Sequence, residues 1–409
     1  MADSKIFSLE GKGLKLDTAE DIAPHIETLR HSTDIKEVRL LGNTLGIGAS
    51  EALAKALESQ KDLEVVNLAD IFTARLLSEI PPALDAILKA LLTLPKLHTV
   101  NLSDNAFGLN TQAPLVSFLS AHTPLEHLYL NNNGLGPEAG TLIANALTAL
   151  AAKKAAASAP PLRTVTCGRN RLENGSMAAW ARAFAAHPAI THIRLVQNGI
   201  RQEGVALLIR EGLGAAPALQ LLDLQDNTFT ALGARALADV LLRWKQLREL
   251  GVADCLLGAR GAVMLGEALR EGKNQGLEVL RLQFNDIDAK GLKALADAQH
   301  QLPKLRRVEL NGNKFNEDDV NVERLKEVLH ERREKFGPPL EDGEHEDWGL
   351  DELDELEEES EEEEEEIDEE EEEKEKELDR TDEAENENVP QEKSKSVDEL
   401  ADLLGKTEI

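Results

Sequence analysis

Apolar residues recur along most of the chain in one figure. An apolar residue is followed by a second three places on and a third two places later. An asparagine then comes three places on, with another apolar residue two beyond it. Clear copies are Leu97-Val100-Leu102-Asn105-Phe107, Leu125-Leu128-Leu130-Asn133-Leu135 and Ile190-Ile193-Leu195-Asn198-Ile200. Three more are Leu219-Leu222-Leu224-Asn227-Phe229, Leu277-Leu280-Leu282-Asn285-Ile287 and Leu305-Val308-Leu310-Asn313-Phe315. The alternating pair puts two apolar side chains on one face of a short strand. The stretches between copies (EALAKAL, LIANAL, ARALADVLL) carry apolar residues at helical spacing. Each unit is therefore predicted as a short strand, a turn and a helix.

The asparagine or its stand-in falls at 43, 71, 105, 133, 170, 198, 227, 255, 285 and 313, with Ile71 and Cys255 as the stand-ins. The base period is about 28–29 residues, and two insertions interrupt it. This is the long, ribonuclease-inhibitor-like form of the leucine-rich repeat. With Phe7-Leu9-Leu14 as a degenerate first copy there are about eleven. No such unit buries its face alone, so neighbours must stack into an α/β solenoid, with parallel strands lining one side and helices the other. The asparagine is expected to bond turn backbone as a ladder. A small residue early in each helix (Ala49, Ala139, Gly204, Gly233, Gly261, Gly291) is expected to let the helix lie close to its strand. The insertions fall after the second strand, at 70–75, and at 150–161, where a helix and its loop lengthen. Val320, Val322, Leu325, Val328 and Leu329 predict a capping helix that ends before Pro338-Pro339.

Composition changes this picture only beyond residue 337. The formal net charge of −31 resides in a tail: 341–387 holds 31 acidic and three basic residues, whereas 1–340 holds 40 acids and 39 bases. So few apolar residues cannot offset ordering entropy, and 338–395 is expected to be disordered. Over 396–409, Val397, Leu400, Leu403 and Leu404 leave a short amphipathic helix and a frayed end both open. An acidic tail argues against nucleic acid as a direct partner. No apolar leader or run of about 18 apolar residues occurs, so a membrane is not expected as a partner. Two cysteines, Cys167 and Cys255, suggest a reducing compartment, cytosol or nucleus by default. They lie three repeats apart, about 14 Å at about 4.8 Å per strand, too far for a disulfide.

Self-contained catalysis finds no support. No P-loop is present, and Gly46-Ile47-Gly48 and Gly134-Leu135-Gly136 recur at the repeat turn, so they read as turn glycines. The histidines lack metal-ligand spacing, and no metal or cofactor is expected. What remains is a surface for another protein. The residue between the core positions of each strand pair, such as Tyr129, faces away from the helices. The residue before each ladder position forms a rim: Gly42, Asp70, Asp104, Asn132, Arg169, Gln197, Asp226, Asp254, Phe284 and Gly312. Four acids there suit a basic partner. An aromatic content of 3% suits a partner that is released quickly.

Several stretches are more specific than the repeat. Asp70-Ile-Phe-Thr-Ala-Arg75, Leu102-Ser-Asp-Asn-Ala-Phe-Gly108, Leu125-Glu-His-Leu-Tyr-Leu130, Asn132-Asn133-Gly134, Gly168-Arg-Asn-Arg-Leu-Glu-Asn-Gly-Ser176 and Leu222-Asp-Leu-Gln-Asp-Asn-Thr-Phe229 resemble the Ran GTPase-activating proteins of fungal type. The resemblance runs from the N-terminus to the acidic tail. It implies an activator of a partner's GTP hydrolysis, not an enzyme with its own pocket, that orders the GTPase's own glutamine without an arginine finger. GTP and Mg would belong to the partner, a Ran-type GTPase in its GTP form, with or without an accessory Ran-binding protein. A monomer, cytoplasmic residence and a role in nucleocytoplasmic transport are further expectations. By resemblance, Asn132 would hold that glutamine, and Arg75 would brace the partner's switch region. Asp70, Asp104, Tyr129, Arg169, Arg171, Asp226 and Asp254 are the expected contact residues. A lysine common in the family shortly after the arginine is replaced here by Leu76 and Leu77. A non-catalytic repeat scaffold or inhibitor is the alternative.

Overall fold

The computed structural model describes residues 5–337 and 348–357, all within the unit Met1–Glu357. The strands are β1 (Ile6–Ser8), β2 (Lys15–Leu16), β3 (Glu37–Arg39), β4 (Thr44–Leu45), β5 (Val65–Asn67), β6 (Thr99–Asn101) and β7 (His127–Tyr129). They continue as β8 (Thr164–Thr166), β9 (His192–Arg194), β10 (Leu221–Asp223), β11 (Glu249–Gly251), β12 (Val279–Arg281), β13 (Arg307–Glu309) and β14 (Gly349–Leu350). All but β2 and β4 form one parallel sheet in chain order, and β2 pairs with β4 beside it. Equivalent repeat positions pair throughout, as in Val100↔Leu128 and Leu222↔Leu250. The middle residue of each repeat strand points into the core, and Val38, Val66, Val100, Leu128, Val165 and Ile193 are fully buried. Helices such as Ile47–Leu57, Ile80–Leu91, Thr230–Leu241 and Gly258–Arg270 cover that face. The second insertion lengthens one of them to Gly136–Ala157, and the capping helix is Val320–Phe336.

The early small residues do more than expected. A Cβ on Gly261 would come within 2.9 Å of Ala234 Cβ, and one on Gly291 within 2.7 Å of Ala262 Cβ. They admit the neighbouring helix as well as the apolar residue of their own repeat: a Cβ on Gly291 would also come within 2.8 Å of Ile287, and one on Gly233 within 3.0 Å of Phe229.

The asparagine ladder sets the spacing of the rim. Asn133 Nδ2 donates to the carbonyls of Leu102 and Leu130, both at 3.0 Å. Its Oδ1 accepts from Asn105 N–H at 2.9 Å, and its own N–H donates to Asn170 Oδ1 at 3.0 Å. Cys255 keeps the ladder running, its Sγ donating to the Leu224 and Ala253 carbonyls. Burial pushes both cysteine thiols up to about 12, so neither is a nucleophile near neutral pH. Asn133→Ala leaves the buried Asn105 N–H without a partner and strips one of the two amide donors from each of the Leu102 and Leu130 carbonyls. It should cost about 2–4 kcal/mol, read as a lower midpoint in urea unfolding.

The boundary expected at residue 337 needs correction, because 348–357 belongs to the folded unit. Gly349 and Leu350 pair with Arg307 and Val308. The Asp351 carboxylate accepts from the N–H groups of Leu310 at 2.7 Å and Asn311 at 3.0 Å. Leu353 is buried in the core. Trp348 receives the Arg306 guanidinium 5.9 Å from its ring. This segment satisfies the outer edge of the last repeat as a further repeat would. The local excess of glutamate hid four apolar residues, Trp348, Leu350, Leu353 and Leu356. The expected tail beyond 357 and the helix over 396–409 lie outside the described residues.

Candidate functional site

The open face of the sheet is largely occupied with itself. Arg39 pairs with Glu37 at 2.6 Å, Arg194 with Asp223 at 3.8 Å, and Arg281 with Glu249 at 3.5 Å and Glu309 at 3.6 Å. Asn67 and Asn101 accept from the N–H groups of Ala69 and Ser103. Tyr129 sits half-buried in this face at the end of β7, not on the rim.

The rim has a strict backbone geometry. All ten residues before the ladder positions are left-handed, with φ between 48° and 76°. After the second core residue the chain must swing out and return the asparagine to the interior, and this conformation makes the swing. It favours Gly, Asn and Asp. Seven of the ten residues, Gly42, Asp70, Asp104, Asn132, Asp226, Asp254 and Gly312, are of those types. The rim acids and Asn132 therefore have a backbone reason to be there. Arg169, Gln197 and Phe284 have no such reason. Arg171 is left-handed too, at φ 54°, so the Gly168–Ser176 stretch projects two strained, exposed arginines from one loop.

Asn132 is exposed, and its N–H donates to the Gly168 carbonyl at 2.9 Å. Its Nδ2 donates to Asp104 Oδ1 at 2.9 Å. An ionised carboxylate can only accept, which fixes the amide with nitrogen toward Asp104 and oxygen away from it. Asp104, expected as a contact residue for the partner, here orients Asn132. Asp70 accepts from the Thr73 hydroxyl within its own loop. Asp226 is half-buried, and Asp254 is exposed further along the rim.

Arg75 departs from expectation. Its side chain is only 6% exposed. The guanidinium pairs with Asp17 and donates to Thr44 Oγ1 at 2.8 Å, the Thr44 carbonyl at 2.9 Å and the Leu16 carbonyl at 3.3 Å. It ties the first insertion to β2 and β4, and Thr44 Oγ1 returns a bond to the Thr73 carbonyl at 2.7 Å. The structure thus does not bring Arg75 and Asn132 together as a contact pair: Arg75 is an internal strut of the 70–79 loop. Leu76 and Leu77, just after it, are exposed instead. Among the described residues no group of three His, Cys, Asp or Glu could hold a metal ion.

Comparison with known proteins gives this rim a context. The family described as Leucine Rich repeat matches residues 121–144, 217–238 and 273–296. Ran GTPase-activating protein 1 of Saccharomyces cerevisiae is 42% identical over 332 residues, which is 79% of this chain and 82% of that protein. The chain belongs to the Ran GTPase-activating protein family. A Drosophila melanogaster family member, named Ran GTPase-activating protein, is 34% identical over 316 residues, 76% of this chain and 53% of its own length. Ribonuclease inhibitor from Sus scrofa is 24% identical over 346 residues, covering 77% of this chain and 72% of that protein, in keeping with a shared repeat architecture. Sequence reasoning missed two things on this rim. One was the Asp104 clamp on Asn132. The other was the pair of large apolar side chains, Leu256 and Phe284, whose signal was a Phe in a slot filled mainly by Gly, Asn and Asp.

Proposed function

We propose that this protein accelerates GTP hydrolysis by a Ran-type small GTPase in its GTP form. Asn132 acts by holding that GTPase's catalytic glutamine. An amide donates and accepts at once, which suits it to grip another amide. The observation that carries the reading is the Asn132–Asp104 bond, which turns the Asn132 oxygen away from Asp104 on an exposed rim. Placement of a reacting group in line can supply several kcal/mol of barrier lowering. The nucleotide and its magnesium would be the partner's. A cytoplasmic site of action and support of nucleocytoplasmic transport accompany the reading.

The mechanism is proposed to work without an arginine finger, since the Arg75 guanidinium is taken up inside the chain. The exposed arginines next along the rim, Arg169 and Arg171, provide the test. An inserted finger contributes about 10³–10⁵ in rate. On the glutamine-ordering reading, Arg169→Ala and Arg171→Ala raise the KM for the loaded GTPase by about tenfold at most and leave kcat within about twofold. A thousandfold fall in kcat in single-turnover hydrolysis would instead make one of them a finger. Tight binding of the GTPase with no acceleration would point to a scaffold or inhibitor.

A further inference from the structure

Phe284 and Leu256 stand apart from the rest of the rim. They are 48% and 52% exposed, with φ of 53° and 52°. A bulky apolar residue in a left-handed conformation is unfavourable, and solvent exposure adds no compensation. Neither side chain is thus explained by stability of the fold.

The two lie on adjacent repeats that are stitched together around them. Asp254 N–H donates to the Gln283 carbonyl at 2.8 Å, Cys255 N–H to Asn285 Oδ1 at 3.0 Å, and Gly258 N–H to the Asn285 carbonyl at 2.9 Å. The Phe284 ring rests on the next rim residue, Gly312, where a Cβ would collide with it. Glycine at 312 therefore serves both the local turn and the ring above it. The ring packs against Gly312 yet stays half exposed, an aromatic surface in a chain with only nine phenylalanines and one tyrosine. Rigid aromatic groups of this kind dominate the energetics of protein contacts. Asp226 and Asp254 border the pair on one side, and on the other Asp286 pairs with Lys314 at 3.3 Å.

We infer that Leu256 and Phe284 form a second docking contact for the GTPase, receiving an apolar patch of that protein flanked by lysine or arginine. The inference rests on the proposed function. Asn132 follows β7 and Phe284 follows β12 on the same rim, five strands apart in the sheet order. That is about 24 Å at about 4.8 Å per strand. A compact domain of about 200 residues is about 40 Å across. One such body seated over Asn132 can reach both places. The acidic border supplies the charge match and speeds encounter, while the apolar pair slows release.

The test is the double variant L256N/F284N in the full chain. Asparagine accepts the left-handed backbone, so the fold does not need the original side chains, and the melting temperature is expected to hold. Stimulated hydrolysis, measured against the concentration of GTP-loaded GTPase, should show KM raised about ten- to thirtyfold with kcat within about twofold. Asn132→Ala, run in parallel, should show the reverse split. Stimulation with an unchanged KM in the double variant would sink the docking contact and leave the activator reading standing. Absence of stimulation by the unaltered protein would sink both. A double variant that only converts a dimer to a monomer in sedimentation, at constant KM, would assign the pair to a second copy of the chain and overturn the inference.

Discussion

Asn132→Ala should lower the stimulated kcat by about 10²–10³ while leaving the KM for the GTPase within a few-fold. The loss falls on kcat because the amide is asked to act on the geometry of the partner's glutamine, not to supply binding area. Two controls sharpen the result. Asn132→Asp keeps the size of the side chain and its left-handed backbone, but sets a carboxylate against the Asp104 carboxylate and cannot donate. It should be as defective as the alanine variant. Asp104→Ala keeps Asn132 but frees its amide to flip, and should give an intermediate kcat. If Asn132→Ala raised KM and spared kcat, Asn132 would be an ordinary contact and the proposed mechanism would fail.

The second large effect belongs to Arg75. Removing a guanidinium that is almost wholly buried and bonded to Asp17, Thr44 and Leu16 breaks the tie between the 70–79 loop and the first repeats. Arg75→Ala should cost about 3 kcal/mol locally. In a repeat protein that loss concentrates near its site. Hydrogen exchange should therefore quicken at β2, β4 and the loop well before it quickens at β11 to β13. Stimulation of hydrolysis should fall in step with this loosening and partly return at lower temperature. An arginine that braced the partner directly would give a different pattern, with activity lost while exchange at β2 and β4 stays as slow as in the unaltered protein.

This contrast marks the limit of what the residues alone convey. The repeat, its period, both insertions and the capping helix were legible because each rests on a periodic demand that the core makes of every unit. Asn133 and Asn170 could be placed in the ladder by spacing, and the structure finds them there. The Arg75 side chain could not be placed in this way. Its partner Asp17 is 58 residues away and belongs to an irregular first copy, so no period connects them. Asp104 and Asn132 could be put on one rim, but the direction of the amide required the bond between them. The rim acids were read as charge because composition registers charge and does not register φ. The same insensitivity made Phe284 look like one more surface residue. At the C-terminal side, averaging over a glutamate-rich window outweighed a few well-spaced apolar residues that the last repeat uses.

The placement of Asp351 and β14 has a consequence for any shortened version of the protein. Stopping the chain at residue 337, where composition suggests a clean cut, would remove the carboxylate that receives the Leu310 and Asn311 N–H groups and would uncover β13. Such a fragment would be adhesive at one end only. Its natural complement is the β1 side of another molecule, so association would be head to tail, with no point at which the chain of molecules closes. Light scattering that grows with concentration in the fragment ending at 337, and stays flat in one ending at 357, would show that the first acids of the tail keep these proteins apart by geometry as well as by charge.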